Sequence, residues 1–246
     1  MNVYRVDADL AYGTLVFAHS PKTQSGEEAQ LRIWNKEFSD WDHHCETVGW
    51  LAPPIGYGTR NQARALPLDA VRLALGPEHN LLLSARARAL LSPLLLPNGR
   101  FLPVRWEGHD YAIFECTALA DVADPGGIEG ERSEYRPGCW TRVDRWSFHP
   151  DRLATAPAIF TVPQDPFIRM CTDVFRDAVA AHDLLGFAFK PLWSEADGGV
   201  LIDNSPGQFM GEAGRQMAIA AKERRRAMLA ILKARERQAR IKPQQS

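Results

Sequence analysis

The residues of this 246-residue chain best suited to chemistry are its four cysteines and seven histidines. Asp42-His43-His44-Cys45 sets three potential metal ligands side by side. Adjacent residues project in different directions, however, and no second pair follows at CxxC or HxxxH spacing, so the run makes a poor metal site. Cys116 or Cys139 would serve as a nucleophile only if the fold brought His109 or His149 to it, and a buried, inert cysteine is the commoner state. Asn204-Ser205-Pro206-Gly207 is not a nucleophile elbow, because proline follows the serine directly. No phosphate-cradling P-loop and no GxGxxG after a strand is present. The sequence therefore predicts no catalytic residue, metal ligand or cofactor site, and it points to a protein that acts by binding.

Charge indicates where such binding would occur. The formal net charge is −1, yet residues 222–242 carry nine Lys and Arg against Glu223 and Glu236, a net of +7 that leaves −8 on the remainder. An acidic body thus bears a basic tail. Exposed acids steer association with a basic partner and select it. The candidate contact residues are Asp40, Asp42 and Glu46, together with Asp121, Asp124, Glu129, Glu131 and Glu134 in a Gly-rich loop expected to be exposed and mobile. Solubility alone accounts for many acids on any protein.

The elements that must position these residues read as α+β: mixed and antiparallel sheets, a few short helices and a long C-terminal helix. Strands are expected at Val3–Val6 and Thr14–Ala18, followed by an irregular stretch anchored by Trp34, Phe38, Trp41, Trp50 and Tyr57. Pro67 is placed to open a short helix containing Val71 and Leu73. Leu81–Leu83 reads as a strand, Ser84 as a cap, and Ala85–Leu91 as a helix that Pro93 stops. Phe101–Trp106 and Tyr111–Thr117 form a hairpin whose first strand, with Pro103, lies on an edge.

Strands at Trp140–Phe148, Ile159–Val162 and Phe167–Met170 precede a Thr172-capped helix that packs Phe175 and Val179. Gly186 suits a helix exit, and Phe187–Phe189 resumes as a strand. Strand, Ser/Thr cap, helix and strand therefore occur twice in order. From Met210, apolar residues at three- and four-residue spacing, including Met217, Ala221, Met228 and Ile231 or Leu232, mark a long amphipathic helix. These readings divide the chain into an N-terminal portion at 1–80 packing on the core, an α+β domain at 81–196 and a basic helix at 208–242.

The ordered motifs in the middle resemble a known family. They are Leu82-Leu83-Ser84, Phe101-Leu102-Pro103-Val104, the Tyr111–Phe114 strand, Glu131-Arg132-Ser133-Glu134 and Phe148-His149-Pro150-Asp151-Arg152-Leu153. Ile159-Phe160, Thr172-Asp173-Val174-Phe175-Arg176, Leu184-Leu185-Gly186-Phe187-Ala188-Phe189 and Leu192-Trp193 follow. From about Leu81 to Trp193 the chain resembles the bacterial polymorphic-toxin immunity proteins of group eleven, a myxobacterial-type domain first catalogued as one of unknown function. Cys171 stands where a serine or similar small residue is expected.

The resemblance implies a cytoplasmic, non-enzymatic protein that binds and neutralises a cognate toxin encoded beside it, and it supplies no catalytic residue. A nuclease-type toxin would suit the acidic body. No segment approaches the roughly 20 apolar residues needed to span a bilayer, and the N-terminus has acid where a signal peptide needs an apolar run. Two other readings are a nucleic-acid-associated adaptor using the basic helix and an enzyme whose site is assembled from scattered residues. Direct nucleic-acid binding is not expected, because 216–246 contains no aromatic residue to stack on bases.

Overall fold

Period-two alternation marks a strand where the sequence pointed to a helix. In the computed structural model, which describes residues 1–12, 14–17, 55–57, 66–75, 78–106, 108–202 and 211–241, Ala70–Leu75 is a strand rather than the helix predicted from Pro67. Val71 and Leu73 are buried while Arg72 between them is only half-buried, the signature of a pleated segment. The strand pairs antiparallel with Glu78–Ser84, from Leu75 opposite Glu78 to Ala70 opposite Leu83.

The architecture is α+β, with thirteen strands and four α-helices among the described residues. Six strands form one sheet in the order β3(Ile55–Tyr57), β2(Thr14–Phe17), β4(Ala70–Leu75), β5(Glu78–Ser84), β7(His109–Cys116) and β6(Gly99–Trp106). All its pairings are antiparallel except that of β2 with β4. A second sheet runs β10(Ile159–Val162), β11(Asp165–Thr172), β1(Asn2–Ala8), β12(Phe187–Ser194) and β13(Gly198–Gly199), all antiparallel. A separate two-stranded ribbon joins β8(Glu129–Arg132) to β9(Trp140–Arg145). The helices are α1(Ala85–Leu95), α2(Pro150–Leu153), α3(Asp173–Ala181) and α4(Gly211–Ile241). None is long and apolar enough to cross a membrane.

The twofold occurrence of strand, cap, helix and strand has a topological meaning. β5, α1 and β6 form a split unit with β7 paired between the two strands. β11, α3 and β12 form another with β1 between them. The inserted strand is the return arm of a hairpin in the first case and the chain's N-terminus in the second. The N-terminal portion thus contributes to both sheets, because β1 is an interior strand of the second and β4 extends the first.

Each helix start is built differently. Ser84 accepts from the Ala87 N–H at 3.1 Å, as its sequence position predicts. Thr172 occupies the corresponding position in α3 but makes no side-chain cap bond. There Asp173, the first residue of the helix, accepts from the Asn2 backbone N–H at 2.8 Å and from the Tyr4 hydroxyl at 3.1 Å, so the helix start is anchored to β1. Pro93 does not stop α1, which continues to Leu95. Proline so near the helix end forfeits only its bond to the residue 89 carbonyl, while the buried Leu91 and Leu95 hold the last turns.

Both faces of the five-stranded sheet are covered. On one, Tyr4, Val6 and Ala8 share a core with Leu81, Leu83 and Phe114 and with Ala87, Leu91, Phe175 and Val179 of α1 and α3. On the other, Val3, Phe160, Val162, Met170, Leu192 and Trp193 meet Val122, Ile128, Val143, Trp146 and Phe148. Within 121–135, Val122, Ala123 and Ile128 are buried in this second layer and β8 is paired, while Asp121, Glu129, Glu131 and Glu134 are exposed, as expected.

At the close of the second split unit, positive φ is taken first by Asp183, at 48°, and then by Gly186, at 95°. A Cβ on Gly186 would lie 2.2 Å from the Ala70 carbonyl oxygen, so close backbone approach demands glycine there. Leu10–Tyr12 and Gly211–Ile241 belong to a distinct compact unit in which α4 packs on the 3-10 turn Leu10–Tyr12. Along α4, Met228 is buried and Ala221, Arg225 and Leu232 are half-buried. Met217 and Ile231 are 48% and 42% exposed, so the packed stripe is narrower than the apolar spacing suggests.

Candidate functional site

The ribbon brings together three of the predicted acids. Glu129 lies opposite Arg145, and Glu131 opposite Arg142, in the β8 to β9 register. Arg145 reaches Glu129 at 3.1 Å, while Arg142 lies 3.6 Å from Glu131 and 3.1 Å from Asp144. Such cross-strand ion pairs stabilise a two-stranded element that has no large sheet to join. Glu134 is exposed in the connection between the strands. The ribbon thus carries mixed charge, with Glu129, Glu131 and Asp144 set beside Arg142 and Arg145.

Asp121 and Asp124 do structural work in the segment before the ribbon. Asp121 pairs with Arg152 of α2 at 2.7 Å. Asp124 accepts from the Gly126 N–H at 3.0 Å and from the Ser147 hydroxyl at 3.3 Å, which fixes the turn leading to Ile128. Asp40, Asp42 and Glu46, with the whole Asp42–Cys45 tetrapeptide, lie outside the described residues.

Beneath the ribbon tip is a pocket of about 300 Å³. One wall is the β8–β9 connection, with Tyr135, Arg136 and Trp140, and the other is the turn from β10 into β11, with Gln164, Asp165 and Phe167. Local hydrogen bonds fix both walls. Ser133 Oγ accepts from the Tyr135 and Arg136 N–H groups at 3.3 and 3.1 Å, and the Ser133 N–H donates to the Cys139 carbonyl at 2.9 Å. The Trp140 N–H donates to the Gln164 carbonyl at 2.9 Å and joins the walls. Cys139 Sγ lies 3.4 Å from the Pro163 carbonyl oxygen, a second tie.

The lining combines aromatic side chains with Arg136, Gln164 and Asp165. The Arg136 guanidinium lies 4.9 Å from the Phe167 ring centre, and that of Arg132 lies 5.1 Å from Trp140. Tyr135 is 89% exposed at the rim. Gln164 is only 7% exposed, and its Oε1 has no hydrogen-bond partner. Burial pushes the Asp165 carboxyl above the usual carboxylate range, against the backbone N–H groups of Phe167 and Ile168 and the charge of Arg5.

No sequence motif flagged Tyr135, Gln164, Asp165 or Phe167. The available signal was Pro163-Gln164-Asp165-Pro166, a turn that places two polar side chains between a pair of buried strands.

The described cysteines and histidines do not assemble into a nucleophilic pair along β7. Cys116 and His109 end that eight-residue strand, about 23 Å apart at strand rise. Burial also pushes the Cys116 thiol up to about 11, away from the reactive thiolate. His109 instead stacks on Trp106, with ring centres 4.4 Å apart, and His149 precedes α2 as its cap residue.

Neither a scan against protein-family models nor a search of curated proteins finds a match for this chain.

Proposed function

We propose that this protein is a cytoplasmic immunity protein that binds a cognate bacterial toxin, of nuclease type, and neutralises it stoichiometrically without chemistry of its own. The observation carrying this reading is the β8–β9 ribbon. It offers Glu129, Glu131 and Glu134 together with an almost fully exposed Tyr135 beside a rigid aromatic pocket. Exposed tyrosine flanked by a polar, charged rim is the composition of a binding hot spot. The order of motifs from Leu81 to Trp193 supports the same class. Blocking, unlike catalysis, needs only a shape- and charge-matched surface, and one fold can block many kinds of site.

The reading is tested in cells expressing the toxin encoded beside this protein. Tyr135→Ala and Glu134→Lys should reduce protection while leaving the thermal midpoint of the purified protein within about 2 °C, as expected for surface changes of under about 0.5 kcal/mol. Full protection by the double variant would exclude the ribbon as the binding surface.

A further inference from the structure

We propose that the exposed face of α4 binds the sugar-phosphate backbone of duplex nucleic acid, an inference that does not rest on the toxin-binding reading. At about 100° per residue, Lys222, Arg226, Lys233 and Arg237 fall within about 60° of one another around the helix axis and span roughly 22 Å along it. All four are exposed, and none makes a hydrogen bond or an ion pair among the described residues. Met228, which is buried, faces about 150° away from this row, so packing of the helix leaves the cations in solvent. Glu223 and Glu236 lie about 40° outside the row, one on each side, and do not interrupt it.

A straight row of unpaired cations on a rigid rod is complementary to a regular row of phosphates. Contact with phosphates needs no aromatic residue. The expectation against nucleic-acid binding concerned base stacking, and the absence of aromatics from 216–246 therefore selects a duplex over a single strand. Lysine with no aromatic companion is also the wrong composition for the core of a protein interface, which is poor in lysine and rich in Tyr, Trp and Phe. A bilayer surface would need a continuous apolar face to enter it. Here Ile219 and Leu229 are the large apolar side chains among the exposed cations, and the buried Met228 is committed to packing.

The test uses the full chain and fluorescence anisotropy of a labelled DNA duplex and of an RNA duplex of the same sequence. Four phosphate contacts predict a slope of about −3.6 for log K against log salt, so affinity should fall about a hundredfold between roughly 50 and 200 mM salt. Two unrelated duplex sequences should bind within about twofold of each other, because phosphate contacts carry no sequence information. The quadruple variant Lys222→Gln, Arg226→Gln, Lys233→Gln, Arg237→Gln should lose most of the slope while keeping its helical circular dichroism, since glutamine is nearly as good a helix former. Arg226→Lys with Arg237→Lys, which keeps the charge, should retain affinity within about twofold.

Binding to neither duplex, a slope near zero, or a quadruple variant that binds as the parent does would each overturn the proposal. So would tighter binding to a single strand of the same length, which would point to stacking, or to vesicles of mixed phosphatidylserine and phosphatidylcholine, which would point to a membrane surface.

Discussion

Asp69→Ala is the most informative stability variant, because one carboxylate ties three separate segments. Asp69 is 8% exposed at the start of β4. It accepts from the Ser84 hydroxyl at 3.0 Å, from Arg86 at 2.9 Å and from the Leu185 backbone N–H at 3.0 Å. The neighbouring backbone reinforces the junction, since the Ser84 N–H donates to the Asp69 carbonyl and the Ala70 N–H to that of Leu185. The carboxylate therefore joins the first split unit to the loop entering β12.

Removing it orphans the Leu185 N–H, which costs about 1–3 kcal/mol where water cannot replace the partner. The Ser84 hydroxyl keeps its role as acceptor for Ala87 but loses its own acceptor, at about 1 kcal/mol. Arg86 is 45% exposed and also donates to the His182 carbonyl, so its share is at most about 0.5 kcal/mol. Asp69→Ala should thus destabilise by about 2–4 kcal/mol. Asp69→Asn, which retains one acceptor, should lose about half as much. Urea unfolding followed by tryptophan fluorescence measures this as a lowered midpoint at constant slope. A loss under about 0.5 kcal/mol for Asp69→Ala, or strict additivity with Ser84→Ala, would refute the junction.

Other substitutions probe the site and its scaffold. Gly186→Ala should destabilise by about 3 kcal/mol or more, seen as a fall in Tm, because it combines positive φ with a Cβ against the Ala70 carbonyl. Asp165→Asn should raise stability at neutral pH. The folded-state pKa of Asp165 is raised, so its ionised form burdens the fold above that value and the burden vanishes as pH falls through it. Denaturant midpoints of parent and variant should therefore converge in acid.

Asp173 has the opposite sign. Burial alone would raise its carboxyl, but hydrogen bonds from Asn2 and Tyr4 and the charge of Arg176 outweigh that and hold it below the usual range. Its contribution is present above the ordinary carboxylate pKa and is lost as pH falls through the folded value, so Asp173→Asn should flatten the acid limb of the stability profile. Cys116, with its thiol pushed up to about 11, should react with iodoacetamide at pH 8 far more slowly in the folded protein than in urea.

Local periodicity and capping were legible in the sequence. The Ser84 cap, the hairpin with Pro103 on an edge strand, the Phe175 and Val179 face of α3 and the strand after Gly186 all follow from rules acting within a few residues. What escaped were features decided by distant partners. Ala70–Leu75 becomes a strand because β5 is there to pair with it, whatever Pro67 favours. Thr172 makes no cap bond, and the start of α3 is instead tied down through Asp173 by the N–H of Asn2, at the far end of the chain. At the site, the sequence marked the acids of β8 but not the arginines that the β9 register sets against them. Gln164 and Asp165 carry no motif, and their burial, with Gln164 Oε1 left without a donor, is decided by the folded chain.

The central proposal, inhibition by binding alone, is tested most directly by titrating the purified protein against a fixed amount of the proposed cognate toxin and measuring residual toxin activity. A blocker predicts a linear fall that ends at one inhibitor per toxin. Complete inactivation at a small fraction of that ratio, growing with time, would show turnover and contradict the account.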